Sequence, residues 1–227
     1  MIVVCSCSFR KLISEEAIHE VVGALEQSGR DYLLVDDLCR ISARDKEMLS
    51  GLAGCDVVAC YPRAIKSLFS AAGSKAGKIF NLRAEPLGKL IEEMNLTVSE
   101  GRHITGITLP PPQGEWEPWF PTIDTDRCIS CRKCMDYCIF GVYSWDGANV
   151  QVTNPANCKN NCPACARVCP QKAVIFPKYD KSPVNGGLSE DEILVNVNFS
   201  ELYQQGDLYS KLIARNLNTN RLTDDDD

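Results

Sequence analysis

Eight cysteines in the second half of the chain fall into two compact groups of fixed spacing. The groups are Cys128-x2-Cys131-x2-Cys134-x3-Cys138 and Cys158-x3-Cys162-x2-Cys165-x3-Cys169, the second followed directly by Pro170. Three thiols at this spacing let a short loop curl around three corners of a metal cluster, whereas the same loop cannot reach the fourth corner. The two groups therefore predict a small fold that wraps two cubane iron–sulfur clusters.

The fourth cysteine of each group has a separate role in this interpretation. In a two-cluster arrangement it ligates the other cluster. We therefore assign Cys128, Cys131, Cys134 and Cys169 to one [4Fe–4S] cluster, and Cys158, Cys162, Cys165 and Cys138 to the other. The alternatives are weaker, because zinc prefers two separated pairs of ligands and disulfides need an oxidising compartment, of which the sequence shows no sign.

The residues around the two groups repeat, and the repeat carries a family resemblance. Ile123-Asp124 leads into the first group and Phe140-Gly141-Val142-Tyr143 follows it, while Asn157 leads into the second and Ala173-Val174-Ile175-Phe176 follows it. On these motifs, residues 120–178 resemble the bacterial two-cluster ferredoxins, which implies an α+β domain that carries electrons. Ile139 after Cys138, and one extra residue between Cys158 and Cys162, depart from the family pattern without removing a ligand.

The first 110 residues alternate between strand and helix signals. Short apolar runs predict strands at 2–5, 32–35, 57–59 and 79–82. Ser14 caps a predicted helix that ends at Ser28-Gly29, and further helices are predicted at 42–49, 64–72 and 87–94. This alternation predicts a Rossmann-like α/β domain, in which helices cover a parallel sheet.

Four more cysteines follow strands of this predicted sheet. Cys5 and Cys7 end the first strand, Cys39 comes after the second, and Cys60 closes the third. Ligands of open α/β sheets bind at the carboxyl ends of the strands, so these thiols can converge on a third metal site. Cysteine is also a common buried residue that only packs, which is how we interpret Cys55 at the opposite edge.

A second resemblance favours the metal site. Val4-Cys5-Ser6-Cys7, Val57-Val58-Ala59-Cys60-Tyr61-Pro62-Arg63 and Asn81-Leu82-Arg83 look like the N-terminal domain of the flavin-containing subunit of heterodisulfide reductases. That resemblance implies a third [4Fe–4S] cluster on Cys5, Cys7, Cys39 and Cys60. Arg63 is expected to stabilise its negative charge. The chain has no GxGxxG motif, so neither flavin nor nicotinamide is expected.

These signals divide the chain into four parts. We expect an α/β domain at 1–108, a proline-rich linker at 109–119, a ferredoxin domain at 120–178 and a tail at 179–227 with a helix near 207–215. Trp116, Trp119 and Phe120 are expected to pack in a core rather than to cover a cluster. His19 and His103 have no catalytic neighbours in the sequence and are interpreted as ordinary histidines.

The charge and hydropathy of the chain indicate which class of partner it binds and where in the cell it works. The net charge is −6, with 13 basic and 14 acidic residues in 1–110 and 11 and 16 in 111–227. The negative net charge argues against nucleic acid as a partner. The acidic second half suits docking to a basic redox partner and is equally consistent with ordinary solubility. The absence of a basic leader and of a long apolar run predicts a cytoplasmic protein without a membrane span, and oxygen-sensitive clusters suit an anaerobic cell.

Two classes of function remain open. In the first, the chain relays single electrons between redox partner proteins, within a multi-subunit oxidoreductase complex, and transforms no substrate. In the second, it is a subunit of a heterodisulfide-reductase-like or other oxidoreductase, and its N-terminal cysteine site takes part in catalysis. By analogy with zinc, a substrate-binding metal site keeps one position open. Four N-terminal thiols would close a cluster, which favours the relay.

Overall fold

The structure is a computed structural model, and it describes residues 1–96, 106–108, 116–189 and 192. Residues 1–187 form one compact unit, and residues 188–227 form a second. The predicted helix at 207–215, His103 and most of the predicted linker lie outside the described residues. Both cysteine-rich halves lie in the first unit, so the boundary expected between two domains stays a prediction.

A parallel sheet organises the N-terminal half. Its strands are β1 (Ile2–Cys5), β2 (Tyr32–Val35), β3 (Asp56–Ala59), β4 (Ile79–Asn81) and β5 (Gly106–Thr108), in the order β4-β3-β1-β2-β5. Val4 pairs with Leu34 on one side and with Val58 on the other. The predicted parallel sheet is confirmed. Strand β5 was missed, because three residues that include Gly106 and precede a proline run give little strand signal.

Five helices connect and cover these strands. They are α1 (Glu15–Gln27), α2 (Leu38–Arg44), α3 (Lys46–Gly51), α4 (Pro62–Ala71) and α5 (Leu87–Glu93). The side chain of Ser14 caps α1 as predicted, by accepting a bond of 3.1 Å from the N–H of Ala17. The single helix predicted at 42–49 is wrong. Asp45 interrupts it and caps α3 by accepting a bond of 2.8 Å from the N–H of Met48.

The sheet has apolar cores on both faces, because side chains alternate along each strand. Ile2 and Val4 pack with buried residues of α1 and α5. Val3 and Cys5 face the opposite core, which contains residues of α2, α3 and α4. The strand order turns at β1, since β2 and β3 lie on its two sides, and a ligand site is expected at the carboxyl edge of such a turning point.

The second half forms two small antiparallel pairs with short helices between them. Its elements are β6 (Thr122–Ile123), α6 (Lys133–Tyr137), β7 (Tyr143–Trp145), β8 (Val150–Val152), a 3₁₀ turn (Pro155–Asn157), α7 (Ala164–Arg167) and β9 (Val174–Ile175). Strand β6 pairs with β9, and β7 pairs with β8 in the hairpin predicted from Asp146-Gly147. Gly141 (φ 67°) and Lys172 (φ 50°) each follow a fourth cysteine by three residues, so the repeat extends to the backbone.

The two halves share buried surface within the first unit. Phe120 and Ile175, from the second half, belong to the core that holds Cys5, Cys39 and Cys60. As expected, Trp119 packs in a core, where its ring centroid lies 5.5 Å from that of Phe176. None of the helices in the described ranges is long and apolar enough to cross a bilayer.

Candidate iron–sulfur sites

Thiols from both cysteine groups line one small cavity in the second half. Its wall contains Cys128, Cys131, Cys134 and Cys169. Cys169 reaches this cavity because β9 pairs with β6, and the N–H of Asp124 donates a bond of 2.8 Å to the carbonyl of Ala173. This pairing places Cys169, the last cysteine of the second group, beside the loop that carries the first group. Four thiols from two loops provide the donor set that one cubane needs.

A second cavity contains the remaining four thiols. It has a volume of about 370 Å³ and is lined by Cys138, Cys158, Cys162 and Cys165. Apolar side chains such as Val142 complete its wall, and Ile139 at its rim is 88 % exposed. Cys138, from the first group, is therefore brought together with three cysteines of the second. This cavity lies close to the protein surface.

Hydrogen-bond donors approach the sulfur atoms of both cavities. The N–H of Ser130 lies 3.4 Å from Sγ of Cys128, and the N–H of Ala173 lies 3.3 Å from Sγ of Cys169. The hydroxyl of Tyr143 donates a bond of 3.0 Å to Sγ of Cys165. Such bonds orient the ligands of an iron–sulfur cluster and tune its potential. Ser130 has a left-handed φ of 52°, so the loop is bent where its N–H meets the sulfur.

Burial makes these thiols reluctant to ionise on their own. It raises the pKa of Cys134 to about 12 and that of Cys158 to about 12, and neighbouring thiols add to both shifts. Burial and the neighbouring thiols Cys138 and Cys162 raise the pKa of Cys165 to about 11, although the Tyr143 hydroxyl acts in the opposite direction. A positively charged metal centre would displace these protons and stabilise the thiolates.

The structure also brings the four N-terminal thiols together. Cys5 is the last residue of β1, Cys7 follows that strand, Cys39 lies in α2 and Cys60 follows β3, and each is between 6 % and 8 % exposed. Burial raises the pKa of Cys39 well above its ordinary value, and the charges of Cys60 and Cys7 act on it from nearby. Cys55 is only partly buried and packs at the edge of the sheet core, as expected. The thiols of Cys5, Cys39 and Cys60 share one core and lie close enough to Cys7 for their charges to interact, while a metal site on these four cysteines stays a prediction.

Lys178 lies among these four thiols, a position that no motif in the sequence indicates. Its ammonium group donates hydrogen bonds to Oδ2 of Asp37 and, over 3.3 Å, to Sγ of Cys7. Burial alone would lower the pKa of Lys178, but the charges of Cys39 and Asp37 outweigh it and raise the pKa. Lys178 follows β9, so the second half supplies a cation to a site on the first.

Two arginines of the first half donate hydrogen bonds to groups of the second half. Arg83 donates to the carbonyl oxygens of Pro177 (3.0 Å) and Tyr179 (2.7 Å), the residues on either side of Lys178. Arg63, expected at the thiol site, instead donates over 2.8 Å to Asp124 and over 2.9 Å to the carbonyl of Lys172. The expectation for Arg63 is wrong, because nearby acceptors of the second half engage its guanidinium.

Within the residues that the structure describes, no group of three or more His, Cys, Asp or Glu side chains is placed as the ligands of one metal ion would be. A cubane makes a different demand, because each of its four irons takes its own thiolate.

Comparisons with known proteins match the second half. The family described as "4Fe-4S binding domain" matches residues 120–143. An uncharacterized ferredoxin of Methanocaldococcus jannaschii is 43 % identical over 60 residues, which cover 26 % of this chain and 41 % of that protein. The chain thus spans less than half the length of this relative. No solved structure gives a significant match.

Two shorter relatives are matched over most of their length. Ferredoxin-3 of a Nostoc species is 31 % identical over 87 residues, which are 30 % of this chain and 87 % of that protein. The protein named pyruvate synthase subunit PorD in Methanothermobacter marburgensis is 31 % identical over 84 residues, which are 37 % of this chain and 93 % of that protein. With its thiol-lined cavities and these matches, the chain belongs to the ferredoxins that carry a 4Fe-4S binding domain.

Proposed function

We propose that the chain relays single electrons between redox partner proteins through two [4Fe–4S] clusters with exchanged fourth ligands. Cys128, Cys131, Cys134 and Cys169 would hold one cluster, and Cys158, Cys162, Cys165 and Cys138 the other. The observation that carries this proposal is that each cavity is lined by three cysteines of one group and the fourth of the other. When bound, each cluster would accept and release one electron.

Hydrogen-bond donors of the protein would orient the cluster ligands and tune the potentials. The N–H groups of Ser130 and Ala173 and the hydroxyl of Tyr143 point at sulfur atoms, which favours the more negative, reduced state. The second cavity lies beside the exposed Ile139. Its position near the surface would let a partner protein approach.

We also propose that the chain works within a multi-subunit oxidoreductase. Two relatives, from Thermotoga maritima and Methanothermobacter marburgensis, are named as subunits of pyruvate synthase. The net charge of −5 in residues 111–227 supports docking to a basic surface.

A third [4Fe–4S] cluster on Cys5, Cys7, Cys39 and Cys60 completes the proposed relay. Four converging thiols match the donor set, and Lys178 would offset part of the cluster's negative charge. The resemblance to heterodisulfide reductases points in the same direction. Since all four thiols are at most 8 % exposed, they favour electron transfer over the catalytic alternative, which needs access for a substrate.

The test is to purify the full chain anaerobically and to count its iron and acid-labile sulfide. Two cubanes contribute about eight irons, and a third raises the total to about twelve. Dithionite should reduce the protein and produce electron paramagnetic resonance (EPR) signals of interacting clusters. Fewer than about eight irons, or turnover of a small substrate without any partner protein, would contradict the relay.

A further inference from the structure

We propose that Lys178 is the cation that the ferredoxin half supplies to the N-terminal thiol site, and that its charge raises the reduction potential of the cluster held there. This inference rests on the proposed third cluster. It identifies a residue 171 positions away from Cys7 in the sequence as part of the same redox site. The N-terminal site would then be incomplete without the ferredoxin half.

The burial of Lys178 calls for a compensating charge. Its residue exposure is 3 %, and that of Asp37 is 1 %. Lysine is almost never buried to this extent without a partner, and an isolated buried ion pair regains little more than its desolvation cost. Asp37 supplies one such partner, and Sγ of Cys7 supplies a second acceptor. Cluster thiolates would add the negative charge that makes this burial favourable.

The orientation of the Asp37–Lys178 ion pair lets the charge of the lysine act on the sulfur atoms of the thiol site. Oδ1 of Asp37 accepts a bond of 3.1 Å from the N–H of Arg40, while its Oδ2 accepts from Lys178. Both carboxylate oxygens therefore have donors. The ammonium group, by contrast, contacts the thiol of Cys7 directly at 3.3 Å. The ammonium group thus contacts a proposed cluster ligand directly, while the charge of Asp37 acts mainly on Cys5.

Arg83 fixes the backbone that presents Lys178. Its guanidinium binds the carbonyl oxygens of Pro177 and Tyr179 and lies 5.2 Å from the ring centroid of Tyr61. Tyr61 directly follows Cys60, so the same arginine is anchored beside the thiol site. We infer that Arg83 is a positioning residue, which holds the segment so that Lys178 points at the thiols.

The expected effect follows from the charge of the two redox states. A cubane with four thiolates carries one more negative charge after it accepts an electron, and no proton transfer is required. A fixed positive charge beside it therefore stabilises the reduced state more than the oxidised state. The N-terminal cluster should consequently have a higher potential than it would have without Lys178. A higher potential favours electron transfer to this cluster from the ferredoxin half.

The experiment is an EPR-monitored redox titration of the full-length chain and three variants. Lys178→Met removes the charge, Lys178→Arg keeps it, and Lys181→Met removes an exposed charge from the same segment. Lys178→Met should lower the one-electron reduction constant of the N-terminal cluster at least tenfold, a shift of 59 mV. The ferredoxin clusters, Lys178→Arg and Lys181→Met should stay near the parental values. An unchanged N-terminal potential in Lys178→Met, or an equal shift in Lys181→Met, would overturn the proposal.

The iron content of each protein interprets the outcomes in which a cluster is missing. Lys178→Met loses the N-terminal cluster if its iron content falls by about four. In that case, a Lys178→Arg variant that keeps the cluster supports the requirement for a cation. A Lys178→Arg variant that also loses the cluster contradicts that requirement. About eight irons in the parental chain would show that the third cluster is not present. That result would overturn the present inference and leave the two-cluster relay intact. Fewer than about eight irons would instead contradict the relay itself.

Discussion

The hydroxyl of Tyr143 donates a 3.0 Å hydrogen bond to the sulfur of Cys165, and both residues are buried. Tyr143 begins strand β7, whereas Cys165 lies in helix α7 of the other repeat. The bond therefore joins the two repeats at a proposed cluster ligand. Burial and the nearby Cys165 raise the pKa of Tyr143 well above its ordinary value, so the phenol stays protonated and remains a donor at neutral pH.

Replacing Tyr143 with phenylalanine should lower the reduction potential of the cluster proposed in the second cavity, which Cys165 lines. The variant loses a bond that stabilises the more negative, reduced state, which is worth about 1 kcal/mol, or some tens of millivolts. A redox titration followed by EPR measures the shift. Tyr32→Phe is the control, since it removes a partly buried hydroxyl that binds Glu26 in the N-terminal half. Equal potentials in Tyr143→Phe and the parental protein would show that the bond does not tune the cluster.

The Arg63–Asp124 ion pair should stabilise the packing of the two halves. The Arg63 side chain is 15 % exposed and that of Asp124 is 11 % exposed, so Arg63→Met leaves a largely buried carboxylate with a poorer partner. We expect a loss of roughly 2 kcal/mol, seen as a lower thermal midpoint of the anaerobic protein. Lys11→Met removes an exposed pair with Glu15 and should leave the midpoint unchanged. A similar midpoint in both variants would contradict this role.

Cys60 and Cys55 provide an internal test of which N-terminal thiols bind iron. Cys60 shares a core with Cys5 and Cys39, whereas Cys55 precedes β3 and packs against that core from the opposite end of the strand. Cys60→Ala should lose about four irons, and Cys55→Ala should lose none. Iron analysis of the two purified proteins measures the difference. If the two variants contain equal iron, Cys60 is a packing residue like Cys55.

Much of the fold was accessible from the sequence because its signals are local. The strands at 2–5 and 32–35 and the Ser14 cap depend on apolar runs and one hydroxyl, and the structure contains all three. The break at Asp45 was missed because Ser42 to Leu49 contains neither glycine nor proline, and only the competing cap at Asp45 divides it. Strand β5 depends on pairing with β2, a contact distant in sequence.

The candidate sites were predictable where spacing determines geometry, and not where the two halves meet. The cysteine groups predicted which thiols share a cavity, since loop length limits what each thiol can reach. Lys178 follows an apolar strand and resembles an ordinary surface lysine in the sequence. Its position depends on Arg83 and Asp37, which lie about a hundred residues or more earlier. For the same reason, the sequence could not show that Arg63 binds Asp124 rather than the thiols.

The exchanged ligands are the central claim, and the iron content of double variants tests them most directly. Cys128→Ala and Cys169→Ala should each damage the same cluster, so the double variant should lose no more than one cubane, about four irons. The pair Cys158→Ala and Cys169→Ala damages two different clusters and should lose about eight. If the first pair loses about twice as much iron as either single variant, and the second pair does not, each group holds its own cluster and the account is wrong.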